Sequence, residues 1–85
     1  MPKFKVTVRK FLDTEVPVEA PDRAKAFLLI DELVNRGDTK FMFDGIDPSY
    51  SETYVRLVHV ATDDEFDALA RETETVNPDG THNWK

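Results

Sequence analysis

The first residues of the chain alternate. Phe4, Val6 and Val8 fall on one face of an extended segment, and Lys3, Lys5, Thr7 and Arg9 on the other. This period of two, rich in β-branched residues, predicts a half-buried strand. Lys10-Phe11-Leu12 breaks the alternation and predicts a bulge or a strand end. After the polar turn Asp13-Thr14 it resumes, with Val16, Val18 and Ala20 inward and Glu15 and Glu19 outward. Pro17 has no N–H to give, which predicts an edge strand or a non-paired position. Together the two segments predict an antiparallel hairpin.

The period then lengthens. Ala26, Ile30, Leu33 and Val34 recur at helical spacing, Phe27 and Leu29 widen the stripe, and Asp31, Glu32, Asn35 and Arg36 sit mainly opposite. Pro21-Asp22 suits a helix start and Gly37 a left-handed stop, so the helix is expected over 22–36. Lys40 to Phe43 reads as a short strand. Asp44-Gly45 and Asp47-Pro48 are turn signals in a loop running to about Glu52. Thr53 to Ala61 reads as the longest strand. It is apolar on both faces, Val55 and Leu57 on one and Val58 and Val60 on the other, which predicts a central place in the sheet.

Thr62-Asp63-Asp64-Glu65 has the spacing of a capping box, and Phe66, Leu69 and Ala70 give the following helix, 63–72, an apolar face. Two readings stay open for residues 73–85. Asn77-Pro78-Asp79-Gly80, flanked by Thr73, Thr75, Val76, Thr81 and Trp84, favours a C-terminal hairpin. The alternative prolongs the helix to Val76 and leaves a loose tail. The order ββαββα, with or without that hairpin, predicts an α+β fold: one two-layer domain over residues 1–85, an antiparallel sheet carrying both helices on one face.

Composition narrows the chemistry. A chain of 85 residues buries roughly 60–65% of its unfolded surface, enough for one core. There is no Cys, which excludes disulfides, thiolate catalysis and Cys-based zinc sites. Residues 1–12 lack the apolar core of a secretory signal, and no apolar run approaches a membrane span. A cytoplasmic protein is expected, in the host cell if a phage encodes it.

No motif points to catalysis. His59 falls in a strand and His82 in a polar tail, neither with a His or Cys at ligand spacing. Ser49 and Ser51 lie on no nucleophile elbow. Asp44, Asp47, Ser49 and Glu52 do not follow the EF-hand spacing. Three scattered glycines form no phosphate-cradling loop, and Arg36-Gly37-Asp38 reads as a helix stop. Asp63, Asp64, Glu65 and Asp67 crowd the first turn of a helix, where negative charge complements the dipole. A non-enzyme without metal or cofactor is expected.

Charge is the sharper clue. Lys3, Lys5, Arg9 and Lys10 lie in the first ten residues; from Asp13 onward seventeen acidic residues face seven basic ones, for a net charge of −6. Such a field attracts cationic surfaces and repels polyanions. Two assignments follow. Asp44, Asp47, Asp63, Asp64, Asp67, Glu72 and Glu74 would bind a cationic protein surface, imitating a phosphate backbone. Alternatively Lys3, Lys5 and Arg9 would form a phosphate-contacting stripe for nucleic acid.

The stretch Lys3–Ala26, KFKVTVRKFLDTEVPVEAPDRAKA, resembles the start of the DpnD/PcfM-like small proteins carried by plasmids and phages. The shared features are an opening alternating strand, a second strand ending Val-x-Ala, and a helix with paired alanines. They cover about a third of the chain, and the second half departs from the pattern. The resemblance implies a mobile-element accessory protein without catalytic residues. Joined to the charge pattern, it predicts a non-catalytic acidic protein-binding module: an inhibitor of a host nucleic-acid-binding defence complex, anti-CRISPR or anti-restriction in type. The alternatives are a small nucleic-acid-binding accessory protein using the basic strand, and a homodimer formed through the Pro17 edge or through Phe11, Phe41 and Phe43.

Overall fold

The computed structural model describes residues 1–9, 13–43 and 53–84. The predicted bulge at 10–12, the loop over 44–52 and the Asp44, Asp47, Ser49 and Glu52 side chains lie outside them. The elements are β1 (Lys3–Arg9), β2 (Asp13–Glu19), α1 (Arg23–Asn35), a 3-10 turn (Lys40–Phe43), β3 (Tyr54–Val60), α2 (Asp63–Glu72), β4 (Thr75–Val76) and β5 (His82–Asn83). The α+β class is as expected, and the C-terminal hairpin forms.

Alternation in β1 and β2 places Val6 opposite Val16 and Phe4 opposite Val18 in an antiparallel ladder. Phe4, Val6, Val8, Val16, Val18 and Ala20 are buried in one cluster with Ala26, Leu29, Ile30 and Leu33 of α1. Asp22 caps that helix, its carboxylate accepting from the Lys25 N–H at 2.7 Å. At the other end Gly37 takes a φ of 74°. This lets the Asp38 N–H reach the Leu33 carbonyl at 2.9 Å and the Gly37 N–H reach Val34 at 3.0 Å, the Schellman arrangement that satisfies the last carbonyls.

α2 begins with both halves of the capping box. Thr62 Oγ1 accepts from the Glu65 N–H at 3.2 Å, and Glu65 Oε1 accepts from the Thr62 N–H at 3.1 Å. Phe66 and Ala70 are buried, as their spacing predicts. The helix, however, lies against the sheet face opposite α1. Its Asp63 and Glu65 meet Lys3 and Lys5, the β1 residues that alternate with Phe4 and Val6. The sheet is therefore flanked on both faces, where helices on one face were expected. Lys3 and Lys5 read as solvent-facing because an ammonium that will be paired looks the same in sequence as one left in water.

Sheet order is β3-β1-β2-β4-β5, with β2 and β4 parallel and all other neighbours antiparallel. Three expectations change here. β3 is at the edge, not the centre; Tyr54, Leu57 and Val60 are exposed, and only Val55 and Val58 pack partly against the core. β2 is an interior strand despite Pro17, because the ladder on its β4 side is one bridge, Val18 to Val76, and demands little of its N–H groups. Lys40–Phe43 is a 3-10 turn, in which the neighbouring side chains of Met42 and Phe43 are both buried. A strand would send them to opposite faces.

The hairpin closes on Asn77-Pro78-Asp79-Gly80 as its turn chemistry predicts. Gly80 has a φ of 88°. The Asn77 N–H donates to Thr81 O at 2.7 Å, and Asp79 accepts from both the N–H and the hydroxyl of Thr81. In β4, Thr75 is fully buried and its hydroxyl has no hydrogen-bond partner among the described residues. A buried hydroxyl in that state costs free energy. Thr75→Val is therefore expected to raise stability by about 1 kcal/mol, read from urea unfolding midpoints at unchanged slope.

Candidate protein-binding surfaces

The predicted acidic residues do not converge on one spot. Asp63 is 84% exposed at its side chain, yet its carboxylate takes an ion pair from Lys3 at 3.1 Å. The same ammonium lies 5.0 Å from the Phe66 ring centroid. Glu65 pairs with Lys5. Asp64, Asp67 and Glu72 are exposed, and none forms an ion pair within the described residues. At roughly 100° per residue Asp64 and Asp67 fall on the outward arc of α2 with Arg71 between them, while Glu72, seven residues after Glu65, stands on the side that faces Lys5 and Glu15. The hydrogen bond that Lys3 donates to Asp63 is the main cause of a Lys3 pKa above its ordinary value, and the charge of Asp67 adds to it.

Glu74 belongs to a different cluster. Its Oε1 lies 3.1 Å from His82 Nδ1, and Asp38 Oδ2 lies 2.7 Å from His82 Nε2. Phe41 stacks on the imidazole, centroids 4.1 Å apart. This cluster ties the terminal hairpin to the end of α1 and to the 3-10 turn. Burial opposes charge on the ring, but the hydrogen bonds to Asp38 and Glu74 outweigh it and raise the His82 pKa. A raised folded-state value makes the contribution complete below the unfolded value near 6.5 and lost as pH rises through the folded one. Thermal melts between pH 6 and 9 are expected to show that loss, and His82→Gln to flatten it.

The basic strand offers no open row of cations. Lys3 and Lys5 are taken by α2. Asp13 forms an ion pair with Arg9 Nε at 3.3 Å and accepts from Arg56 Nη1 at 2.6 Å, in a cleft that Glu15 and Glu72 also line. The Lys5 pairing has a measurable consequence. The Lys5 hydrogen bond, followed by those from the Thr62 N–H and hydroxyl, holds Glu65 at a pKa of about 2. A depressed carboxylate stabilises the fold fully above its unfolded value, about 4.5, and the contribution fades as pH falls toward 2. Acid titration of stability should show a loss in that window that is smaller in Lys5→Met.

A cleft of about 420 Å³ between the 3-10 turn, the end of α2 and the hairpin is lined by Glu15, Lys40, Phe41, Glu72, Glu74 and Trp84 among others. The carboxyls held low elsewhere owe it to structure: Glu65 to an ion pair and a cap, Asp79 to the hydroxyl and N–H of Thr81 in its turn. Among the described residues no group of three or more His, Asp or Glu is placed to hold a metal ion. No helix there is long and apolar enough to cross a membrane.

One surface went unread in the sequence. Phe27 and Leu28 of α1 are exposed, as are Tyr54, Leu57 and Val60 of β3. The signal was present: Phe27-Leu28-Leu29-Ile30 is a wider apolar run than one buried helix stripe requires. No family model, curated protein or solved structure matches this chain.

Proposed function

We propose that the protein is a non-catalytic protein-binding module whose α2 carboxylates engage a cationic protein surface. The observation that supports this is a remainder. After Lys3 and Lys5 have been taken up by Asp63 and Glu65, α2 still presents Asp64 and Asp67 on its outward arc and Glu72 at a cleft rim, none with an ion pair among the described residues. Exposed carboxylates of this kind steer association and select partners of opposite charge. The basic groove of a nucleic-acid-binding effector, such as a CRISPR or restriction complex, is a target of that chemistry. Asp63 and Glu74, each already bonded within the molecule, add less to such a contact than their number in the sequence suggests.

The experiment is affinity capture from lysate with wild-type protein and with a variant carrying Asp64→Lys, Asp67→Lys and Glu72→Lys. The reading expects basic proteins retained by the first and lost by the second. Equal recovery by both would remove it. A gel shift with DNA or RNA at low salt separates the nucleic-acid alternative, which the pairing of Lys3, Lys5 and Arg9 disfavours.

A further inference from the structure

Where α2 faces the sheet, three adjoining clefts of about 420, 450 and 290 Å³ share Glu15, Leu69 and Glu72 as lining. The two carboxylates come from different elements, β2 and α2, and neither has an ion pair among the described residues. The cations beside them are engaged elsewhere or stand apart. Lys5 is bonded to Glu65 and feels Glu15 only through space. Arg56 is bonded to Asp13. Lys40 is exposed and lines only the cleft that Trp84 lines. In the cleft of about 450 Å³ the Arg56–Asp13 pair cancels, so Glu15 and Glu72 leave two negative charges on its walls.

Thr7 shows what those walls lack. In the ladders it stands opposite Glu15 on one side and Leu57 on the other. Residues so paired share a face, so Leu57, Thr7 and Glu15 form a row across three strands at steps of about 5 Å. Thr7 is 8% exposed and lines the same cleft. Its hydroxyl makes no hydrogen bond among the described residues. A polar group so deep is costly until a partner meets it. Unlike the Thr75 hydroxyl, this one borders a space that a ligand can enter.

The row prescribes its occupant. Leu57 and Leu69 offer an apolar wall for a methylene stem. Beyond it, a hydroxyl and two carboxylates offer acceptors on β1, β2 and α2. Among the described residues no group of three or more His, Asp or Glu is placed to hold a metal ion. A guanidinium has five N–H donors in one plane, enough to meet acceptors on three elements at once, and it sheds water more readily than an ammonium. We propose that this row is the socket for an arginine side chain of the partner protein, its guanidinium between Glu15 and Glu72 and donating to Thr7. This rests on the reading that α2 meets a cationic protein surface, and it names the group that is gripped.

The test is an NMR titration of the ¹⁵N-labelled full chain with the peptide acetyl-Gly-Arg-Gly-amide and with its lysine counterpart. Millimolar binding of the arginine peptide is expected, with shifts centred on Thr7, Leu57 and Leu69, and the lysine peptide at least threefold weaker. Glu15→Gln/Glu72→Gln should weaken binding about tenfold, as for two exposed ion pairs lost. Thr7→Val should weaken it about threefold without lowering the urea midpoint, which separates the socket from the fold. Asp64→Asn/Asp67→Asn should leave it unchanged. No binding, shifts confined to the Asp64 and Asp67 arc, equal affinity for both peptides, or indifference to Thr7→Val would each overturn the proposal. Capture of basic proteins that survives Thr7→Val/Glu15→Gln but is lost in the lysine variant of α2 would overturn the socket and leave the α2 reading standing. Peptide binding as expected, with capture equal in wild type and that variant, would support the socket and remove the α2 reading.

Discussion

Phe66→Ala is expected to lower the unfolding free energy by about 3–5 kcal/mol, the range for truncating a buried aromatic. Phe66 is 1% exposed. With the small Ala70 it is all that α2 buries completely. A helix of ten residues has little stability of its own in water and depends on such an anchor. A domain of this size has about 4–13 kcal/mol in total, so the loss would take a large share of it. The substitution also reaches the ion pairs. Lys3 lies over the Phe66 ring, and Lys3 and Lys5 meet α2 at Asp63 and Glu65, three residues and one residue before it. If the helix lifts, Glu65 loses its partner and its pKa returns toward 4.5. Urea unfolding with carboxyl NMR titration of the same variant reads both effects. A stable variant with Glu65 still near 2 would mean that the capping box and ion pairs hold α2 without the ring.

The second large effect concerns binding. Reversing Asp64, Asp67 and Glu72 to Lys exchanges attraction for repulsion at three exposed positions. At about 1 kcal/mol each, the upper range for exposed pairs, the sum is about 3 kcal/mol, or about a hundredfold in affinity at low salt. Raising ionic strength should shrink the gap between wild type and variant, because these side chains face water and are screened. Asp64 stands in the first turn of α2, where a lysine also opposes the dipole, so the variant needs its melting temperature measured beside its affinity. A fully folded variant that binds a captured basic partner within twofold of wild type would refute the role of this surface.

What the sequence made legible was local. The capping box at Thr62 and Glu65, the turn at Asn77 to Gly80, the stop at Gly37 and the alternation of Phe4, Val6 and Val8 each rest on contacts within a few residues. What it hid was set by distance. Nothing near Lys3 announces Asp63, sixty residues away, and nothing near Pro17 announces that β4 will lie beside it in parallel through a single bridge. β3 shows the difficulty most clearly. A strand apolar on both faces is the signature of a covered centre, yet here the same residues form an open border. The candidate site suffered likewise. Seven acidic positions looked equivalent, until Lys3 took up one of them and His82 another; two lie outside the described residues.

The lone bridge between Val18 and Val76 sets how this fold can come apart. Val76 is fully enclosed, and it enters the interior from a strand of two residues. Peeling that border back would unseat the His82 cluster and admit water to the centre, while the triple ladder of β3, β1 and β2 kept its pairing. The thinnest element of the architecture is thus the seal on its dry interior, and the strength of the whole depends on a closure near the carboxyl terminus.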